Sequence, residues 1–295
     1  MRDGETVVAF EQAGRVVARS DRRIGTLLAE DGKLGAKDIE RIMDLQHNHG
    51  YRFGDAAMRL GLVTGEDVER AVARQYDLPH LTPGKIVNSE LVVAYEPFHR
   101  RAEELRALRT QLMIRWTNGA AKQRVLTVVS PGAGEGRSYV AANLAASFAQ
   151  LGERTLLIDA DLRSPRQHQI FGIANRVGLS AVLSGRADGT AVVPLPELGR
   201  LSVLPAGAIP PNPQELLSRR VLGILLHELR ANYDVIFIDT PPALPYADAQ
   251  CVAFRAGSAI VINRKDHTRL ADTNSVVKDM SEAGTHVIGA VLNSF

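Results

Sequence analysis

Two different hydrophobic periods divide this chain. Six apolar runs, at 125–130, 155–160, 201–205, 234–239, 258–263 and 286–292, alternate with helical segments in the carboxyl-terminal two thirds. These runs are continuously apolar rather than alternating. A strand can be apolar at every position only if both of its faces are covered, so the pattern predicts an α/β fold with a mostly parallel sheet and helices on both faces. The front of the chain reads differently. Residues 23–46 (RIGTLLAEDGKLGAKDIERIMDLQ) and 52–75 (RFGDAAMRLGLVTGEDVERAVARQ) align without a gap at an offset of 29. Arg23/Arg52, Gly25/Gly54, Gly32/Gly61, Asp38/Asp67, Glu40/Glu69, Arg41/Arg70 and Gln46/Gln75 are shared. Each copy predicts a short helix, a turn at Gly32 or Gly61, and a second, amphipathic helix. Leu27, Leu28, Ile39, Ile42 and Met43 supply the buried stripe. One copy cannot bury its apolar face alone, so the pair predicts a small all-α domain of four helices.

These patterns organise the 295 residues into a mobile segment over 1–20, a helical tandem-repeat domain over 21–82, a linker over 83–98 and an α/β domain over 99–295. Pro79, Pro83 and Pro97 mark the connecting stretch. Composition narrows the partners. The net charge is +2 without a lysine-rich block, so nucleic acid is not an expected partner. Cys251, the single cysteine, lies in the apolar run CVAF and reads as a buried thiol in a reducing compartment. No run approaches a membrane span, and the segment 1–20 carries no signal core. The expected location is cytoplasmic, with attachment to the inner membrane only through a partner.

Chemistry enters at LTVVSPGAGEGRS, residues 126–138. An apolar strand breaks into a glycine-rich turn and then a helix whose apolar side includes Ala142, Leu144, Ala145 and Phe148. Gly132, Gly134 and Gly136 let the backbone turn its N–H groups inward, and the helix start adds free N–H groups and a positive dipole end. Ser138 stands where a hydroxyl binds the magnesium of a nucleotide. Two positions depart from GxxxxGK[ST]: Pro131 replaces the first glycine and Arg137 the lysine. Arginine neutralises phosphate through a fork rather than as a point charge. TLLIDADLR, at 155–163, ends in Asp159 and Asp161, which share one side of a strand end. DVIFIDTPP, at 234–242, ends its apolar strand in Asp239, a Walker B acid that supports magnesium or its water shell.

The order SPGAGEGRS, LLIDADLRSP, IFIDTPPA resembles the bacterial tyrosine kinases, P-loop enzymes whose middle element is a Walker A′ motif. RAEELRALRTQL, at 101–112, carries Glu103, Arg106 and Arg109 in the spacing of that family's E-x-x-R-x-x-R helix, which implies a ring-forming interface. The resemblance covers about 95–295, and GLSAVLSG and SVLPAGAIPPNPQELL are most similar to the chain-length-determinant kinases of the EpsG type. It implies ATP/ADP and Mg2+ as cofactors. Gly132, Ala133, Gly134, Glu135, Gly136, Arg137, Ser138 and Tyr139 would cradle phosphates, and Asn293 would read the purine. Ser138, Asp159 and Asp239 would serve the metal, with Asp159, Asp161 and Arg137 as the catalytic set. Asp159 and Asp161 could accept the proton of an incoming tyrosine. The implied role is regulation of exopolysaccharide chain length and export with a membrane polysaccharide copolymerase. The repeat resembles the amino-terminal domains of type II secretion and pilus ATPases, one subgroup of which binds cyclic di-GMP. That implies a guanine site at Arg23, Gly25, Gly32, Gln46, Arg52, Gly54, Gly61 and Gln75, with docking of a protein partner as the equal alternative.

One family feature is missing. The six tyrosines, Tyr51, Tyr76, Tyr95, Tyr139, Tyr233 and Tyr246, are scattered, and no tyrosine-rich tail follows the last strand. With Arg137, this keeps two alternatives open: a nucleotide sensor without kinase activity, and a MinD-like positioning ATPase. The absence of a lysine early in the loop counts against the second.

Overall fold

The computed structural model describes residues 23–76, 88–117 and 124–294. The expected mobile segment over 1–20 lies outside the described residues. The chain divides into two compact units, Met1–Asp77 and Leu78–Phe295.

The first unit contains the repeat as two helical hairpins: α1 (Ile24–Glu30) with α2 (Ala36–His49), and α3 (Phe53–Arg59) with α4 (Gly65–Gln75). The copies share their turn and backbone capping bonds. Gly32 and Gly61 both take positive φ, near 69° and 68°, where a side chain would be strained. Just beyond them, Lys33 N–H donates to Leu28 O and Leu62 N–H to Ala57 O, closing the first helix of each copy identically. Asp38 caps the second helix through Gly35 N–H at 2.9 Å, and Asp67 does so through Thr64 N–H at 3.0 Å. The core comprises Leu27, Leu28, Leu34, Ile42, Ala56, Ala57, Val63 and Ala71. Met43, expected in the buried stripe, is 59 % exposed. The stripe turns past it because Ile42 and Leu45 fill the inward positions of α2.

The second unit opens with α5 (Val92–Tyr95) and α6 (Arg100–Thr117). Then β1 (Arg124–Val129), α7 (Arg137–Ala149), β2 (Thr155–Asp159), α8 (Gln167–Ile170), α9 (Leu179–Leu183), β3 (Val193–Leu195) and β4 (Leu201–Leu204) follow. The chain continues through α10 (Pro213–Ser218), α11 (Arg220–Asn232), β5 (Val235–Asp239), α12 (Asp248–Ala256), β6 (Ser258–Arg264), α13 (Leu270–Glu282) and β7 (His286–Asn293). Among the described residues the strands form one seven-stranded sheet in the order β3-β4-β2-β5-β1-β6-β7. Every neighbouring pair is parallel except β3–β4. The six expected strands are present, and the short antiparallel edge strand β3 is additional.

Alternate strand residues face opposite layers, which explains the unbroken apolar runs. Leu126, Val128, Leu157, Phe237, Ile260 and Ile262 pack with α5, α6 and α7. Val125, Leu156, Ile158, Ile236 and Ile238 pack with α9, α10, α11 and α12. The expected linker over 83–98 needs correction at its carboxyl end. Leu91, Val92, Val93 and Ala94 are buried in the α7 layer, where Asn143 accepts from Val93 N–H at 3.2 Å and donates to Glu90 O at 2.9 Å. The apolar LVVA overrides the prolines around it. Cys251, expected to be buried, is only partly so, although that burial still raises its thiol pKa.

Candidate nucleotide site

The parallel register builds the site. Asp159 and Asp239 are paired neighbours at the carboxyl ends of β2 and β5, although far apart in sequence. β1 lies on the other side of β5 and delivers the glycine loop to the same edge. This crevice at the strand ends is where open α/β sheets hold ligands. Gly134 and Gly136 take positive φ, near 72° and 88°, so the loop needs glycine there. Gly136 leads directly into α7, whose N-terminus points into the crevice.

Three residues that the sequence reading did not single out complete the loop. Thr268, following β6, donates from its hydroxyl to Glu135 Oε1 at 2.6 Å, and Glu135 Oε2 accepts from Gly132 N–H at 2.9 Å. Thr240 accepts at its carbonyl from Arg137 Nε, and its hydroxyl holds Val128 O at 2.8 Å. Gln167 Nε2 donates to Asp239 Oδ2 at 2.7 Å and to Ser138 O at 3.1 Å, and its backbone N–H donates to Asp159, joining all three motifs. Only Thr240, adjacent to the Walker B acid, carried a positional signal. Asn293 donates from its side chain to Glu135 O at 3.2 Å, so its amide braces the loop.

Both paired acids are fully buried. Burial, reinforced by the neighbouring Asp239, holds the Asp159 carboxyl well above its ordinary range. Burial also raises Asp239, against the opposing pull of Arg137, Ser138 and Gln167. Asp159 Oδ2 accepts from Gln167 N–H at 3.0 Å and Arg166 N–H at 3.2 Å. Among the described residues, Asp239 Oδ1 is buried without a hydrogen-bond partner. A magnesium-bound water would satisfy it, and Ser138 and the acids supply the hard oxygens magnesium requires. No group of three metal-ligating side chains converges among the described residues. Magnesium here would therefore depend on nucleotide phosphates and water for the rest of its shell.

Arg137 lines the cleft beside the loop, and its guanidinium is also held by protein acceptors. Its guanidinium is buried under the loop. It donates to Thr240 O and Ser130 Oγ, and to Gly132 O at 3.2 Å, and lies 3.7 Å from Asp161 and 3.8 Å from Asp239. The longer fork reaches backbone acceptors and acids together, which a lysine point charge could not do. Ala133, Gly134, Gly136, Ser138 and Tyr139 line a cleft of about 310 Å3 together with Asp161, Arg163, Ser164, Arg166 and Tyr246. A second cleft, about 970 Å3, shares Gly134, Gly136 and Tyr139 with it and extends to Asn293 and the start of α6.

A strand, a glycine turn, a buried helix and two paired strand-tip acids make a P-loop nucleotide site. The family model described as ParA, NUBPL iron-transfer P-loop NTPase, matches residues 121–294. Tyrosine-protein kinase YwqD of Bacillus subtilis is 35 % identical over 210 residues, covering 71 % of this chain and 88 % of that protein. This chain belongs to the bacterial tyrosine-protein kinases. The same domain occurs inside larger kinases: tyrosine-protein kinase wzc of Salmonella typhimurium is 34 % identical over 206 residues, 70 % of this chain but 28 % of that one. The solved kinase domain of Escherichia coli tyrosine kinase ETK superposes with a TM-score of 0.66 at 30 % identity, covering 69 % of this chain and 79 % of that domain.

The remaining expected residues fall outside this cluster. In α6, Glu103 pairs with Arg106 at 2.9 Å. Arg109 turns inward to Ser147 O at 2.8 Å and Ser147 Oγ at 3.0 Å, so it holds α6 on α7 within the chain. In the repeat, a Cβ on Gly25 would lie 2.9 Å from the Phe53 ring, and one on Gly54 2.7 Å from Val68. Close helix packing thus accounts for both glycines, and the turns account for Gly32 and Gly61. Gln46 donates to Tyr51 O at 3.1 Å, closing the first copy, and Gln75 ends α4. Arg23 and Arg52 occupy equivalent extended positions just before α1 and α3.

Proposed function

We propose that this kinase domain uses Mg–ATP to phosphorylate tyrosine and thereby regulates exopolysaccharide chain length and export. The observation that carries the chemistry is the buried Asp159–Asp239 pair beside Ser138, with Asp239 Oδ1 facing Arg137 at 3.8 Å and holding no hydrogen bond among the described residues. ATP bound at the loop would supply the transferable phosphoryl group and magnesium would neutralise its charge. The chain's own residues do the positioning. The 132–138 backbone and the α7 N-terminus cradle phosphate, and Ser138, Asp159 and Asp239 hold the metal or its waters. Asp161, which lines the smaller cleft, accepts the proton of the incoming tyrosine hydroxyl. Arg137 neutralises the two acids nearest it and ties the loop to β5. In this reading Glu103, Arg106 and Arg109 belong to a helix that packs subunits into a ring, and a membrane polysaccharide copolymerase recruits the domain to the inner membrane. The repeat module tunes it, with Arg23 and Arg52 as pseudo-symmetric anchors for cyclic di-GMP.

Mass spectrometry after incubation with Mg–ATP tests the reading by following ADP release and phosphotyrosine together. Both products are expected. ADP without phosphotyrosine would reduce the protein to an ATPase, and neither product would leave a nucleotide sensor.

A further inference from the structure

Asp161 does not set its own direction. Its Oδ1 accepts from the backbone N–H of Arg163 at 3.1 Å and of Ser164 at 2.8 Å. Its Oδ2 lies 3.7 Å from Arg137 Nη2. The carboxylate therefore follows the backbone at 163–164, a turn beyond β2. Asp159 holds the two ends of this segment through the Asp161 and Arg166 N–H groups, and the Arg163 side chain ties its middle to α12. Arg163 donates from Nε and Nη2 to the two oxygens of Asp248, at 3.2 Å for Nη2. Asp248 is fully buried in the first turn of α12. The guanidinium also lies 3.8 Å over the ring of Tyr246, which lines the same cleft as Asp161.

We propose that Arg163, Tyr246 and Asp248 are positioning residues that aim Asp161 at the acceptor hydroxyl. The inference rests on the reading of Asp161 given above. The bidentate fork fixes the guanidinium in its own plane, and the aromatic face fixes it perpendicular to that plane. A lysine could keep the charge but not both constraints. The geometry also explains why a buried carboxylate stands on α12 without touching the nucleotide crevice: its partner carries the loop that does.

The test uses the full chain. Amide hydrogen exchange on nucleotide-free protein should show residues 161–164 exchanging roughly tenfold faster in Arg163→Ala, while β2 keeps its protection. Arg163→Lys retains a partner for the buried acid, guards against misfolding, and should give a smaller increase at the same amides. In kinetics, Arg163→Ala should lower kcat about tenfold with the KM for ATP little changed. In an Asp161→Asn background the same substitution should cost nothing further, because residues acting through one group are not additive. Unchanged exchange at 161–164 in both variants would overturn the inference, as would an equal kcat loss in the Asp161→Asn background. A parent without ATP turnover would defeat the kinase reading alone, and the exchange result would then decide the positioning role.

Discussion

The two units use charge in opposite ways. In the repeat most ionic side chains other than Asp67 lie at the surface: Arg74 reaches Asp31 and Glu30 across α1 and α4, and Arg41 faces Asp38 on one helix. In the nucleotide unit Asp159, Asp239 and Asp248 are fully buried, and Arg137 nearly so. An exposed pair is screened by water and adds little stability, whereas a buried charge must be compensated or the fold suffers. The buried acids of the nucleotide unit gather at the strand tips and their supporting turn, whereas Asp67, the buried acid of the repeat, caps a helix. The glycines show the same division. Gly134 and Gly136 let the loop turn through positive φ, whereas Gly25 and Gly54 allow helices to touch.

The largest expected effect falls on turnover. Asp159→Asn should lower Mg–ATP turnover by about a thousandfold, roughly 4 kcal/mol of transition-state stabilisation, with folding retained. Turnover equal to the parent would place the chemistry elsewhere. The same variant exposes the penalty of burying like charges. Asp159 holds its proton more tightly when folded than when unfolded. That contribution to stability is fully present below the unfolded value near 3.8 and is lost as pH rises through the raised folded value. A Tm series on metal-free protein from about pH 4 to about pH 8 should fall less steeply in Asp159→Asn than in the parent.

Arg137→Ala comes next. It removes the cation beside two buried acids and should cost about 3–5 kcal/mol in denaturant unfolding, with Arg137→Lys recovering part of the loss. A loss below about 1 kcal/mol would mean the guanidinium contributes no more than a surface pair. In the repeat the largest response should come from packing. Gly54→Ala drives a methyl into Val68 and should cost about 1–3 kcal/mol. Gly32→Ala meets open space and should cost only the strain of its positive φ, about 1 kcal/mol. If thermal melts reversed that order, the turn rather than the helix contact would be the tighter constraint. The smallest effect should be Arg74→Ala, under about 1 kcal/mol, shrinking further in high salt.

Features that repeat a simple physical constraint were legible in the sequence. Strands covered on both faces must be apolar throughout, and all six runs so marked are strands, with β7 at the sheet edge the one that leaves an apolar side chain, Leu292, exposed. Gly32 and Gly61 announced their turns because the same break recurs at the same place in the second copy. Features created by tertiary neighbourhood were not legible. Gln167 joins the three motifs only because β2 lies beside β5, an adjacency that no local pattern encodes. The edge strand β3 is three residues long with Pro194 at its centre, too short to show a period. LVVA, between prolines, resembled a spacer because its partners on α7 lie far along the chain. The placement of Arg137 depended on which acceptors its fork could reach once Thr240 was delivered beside it.

The helix behind the glycine loop has a thermodynamic consequence of its own. Five of the thirteen residues of α7 are alanine, and nearly all of the helix is buried between the sheet and α6. Alanine has no rotamer freedom to lose, so ordering this helix during folding costs little side-chain entropy. Its first amide groups are therefore already fixed before any anion arrives. Binding a phosphate then need not freeze the donors, and more of each hydrogen bond can appear as affinity.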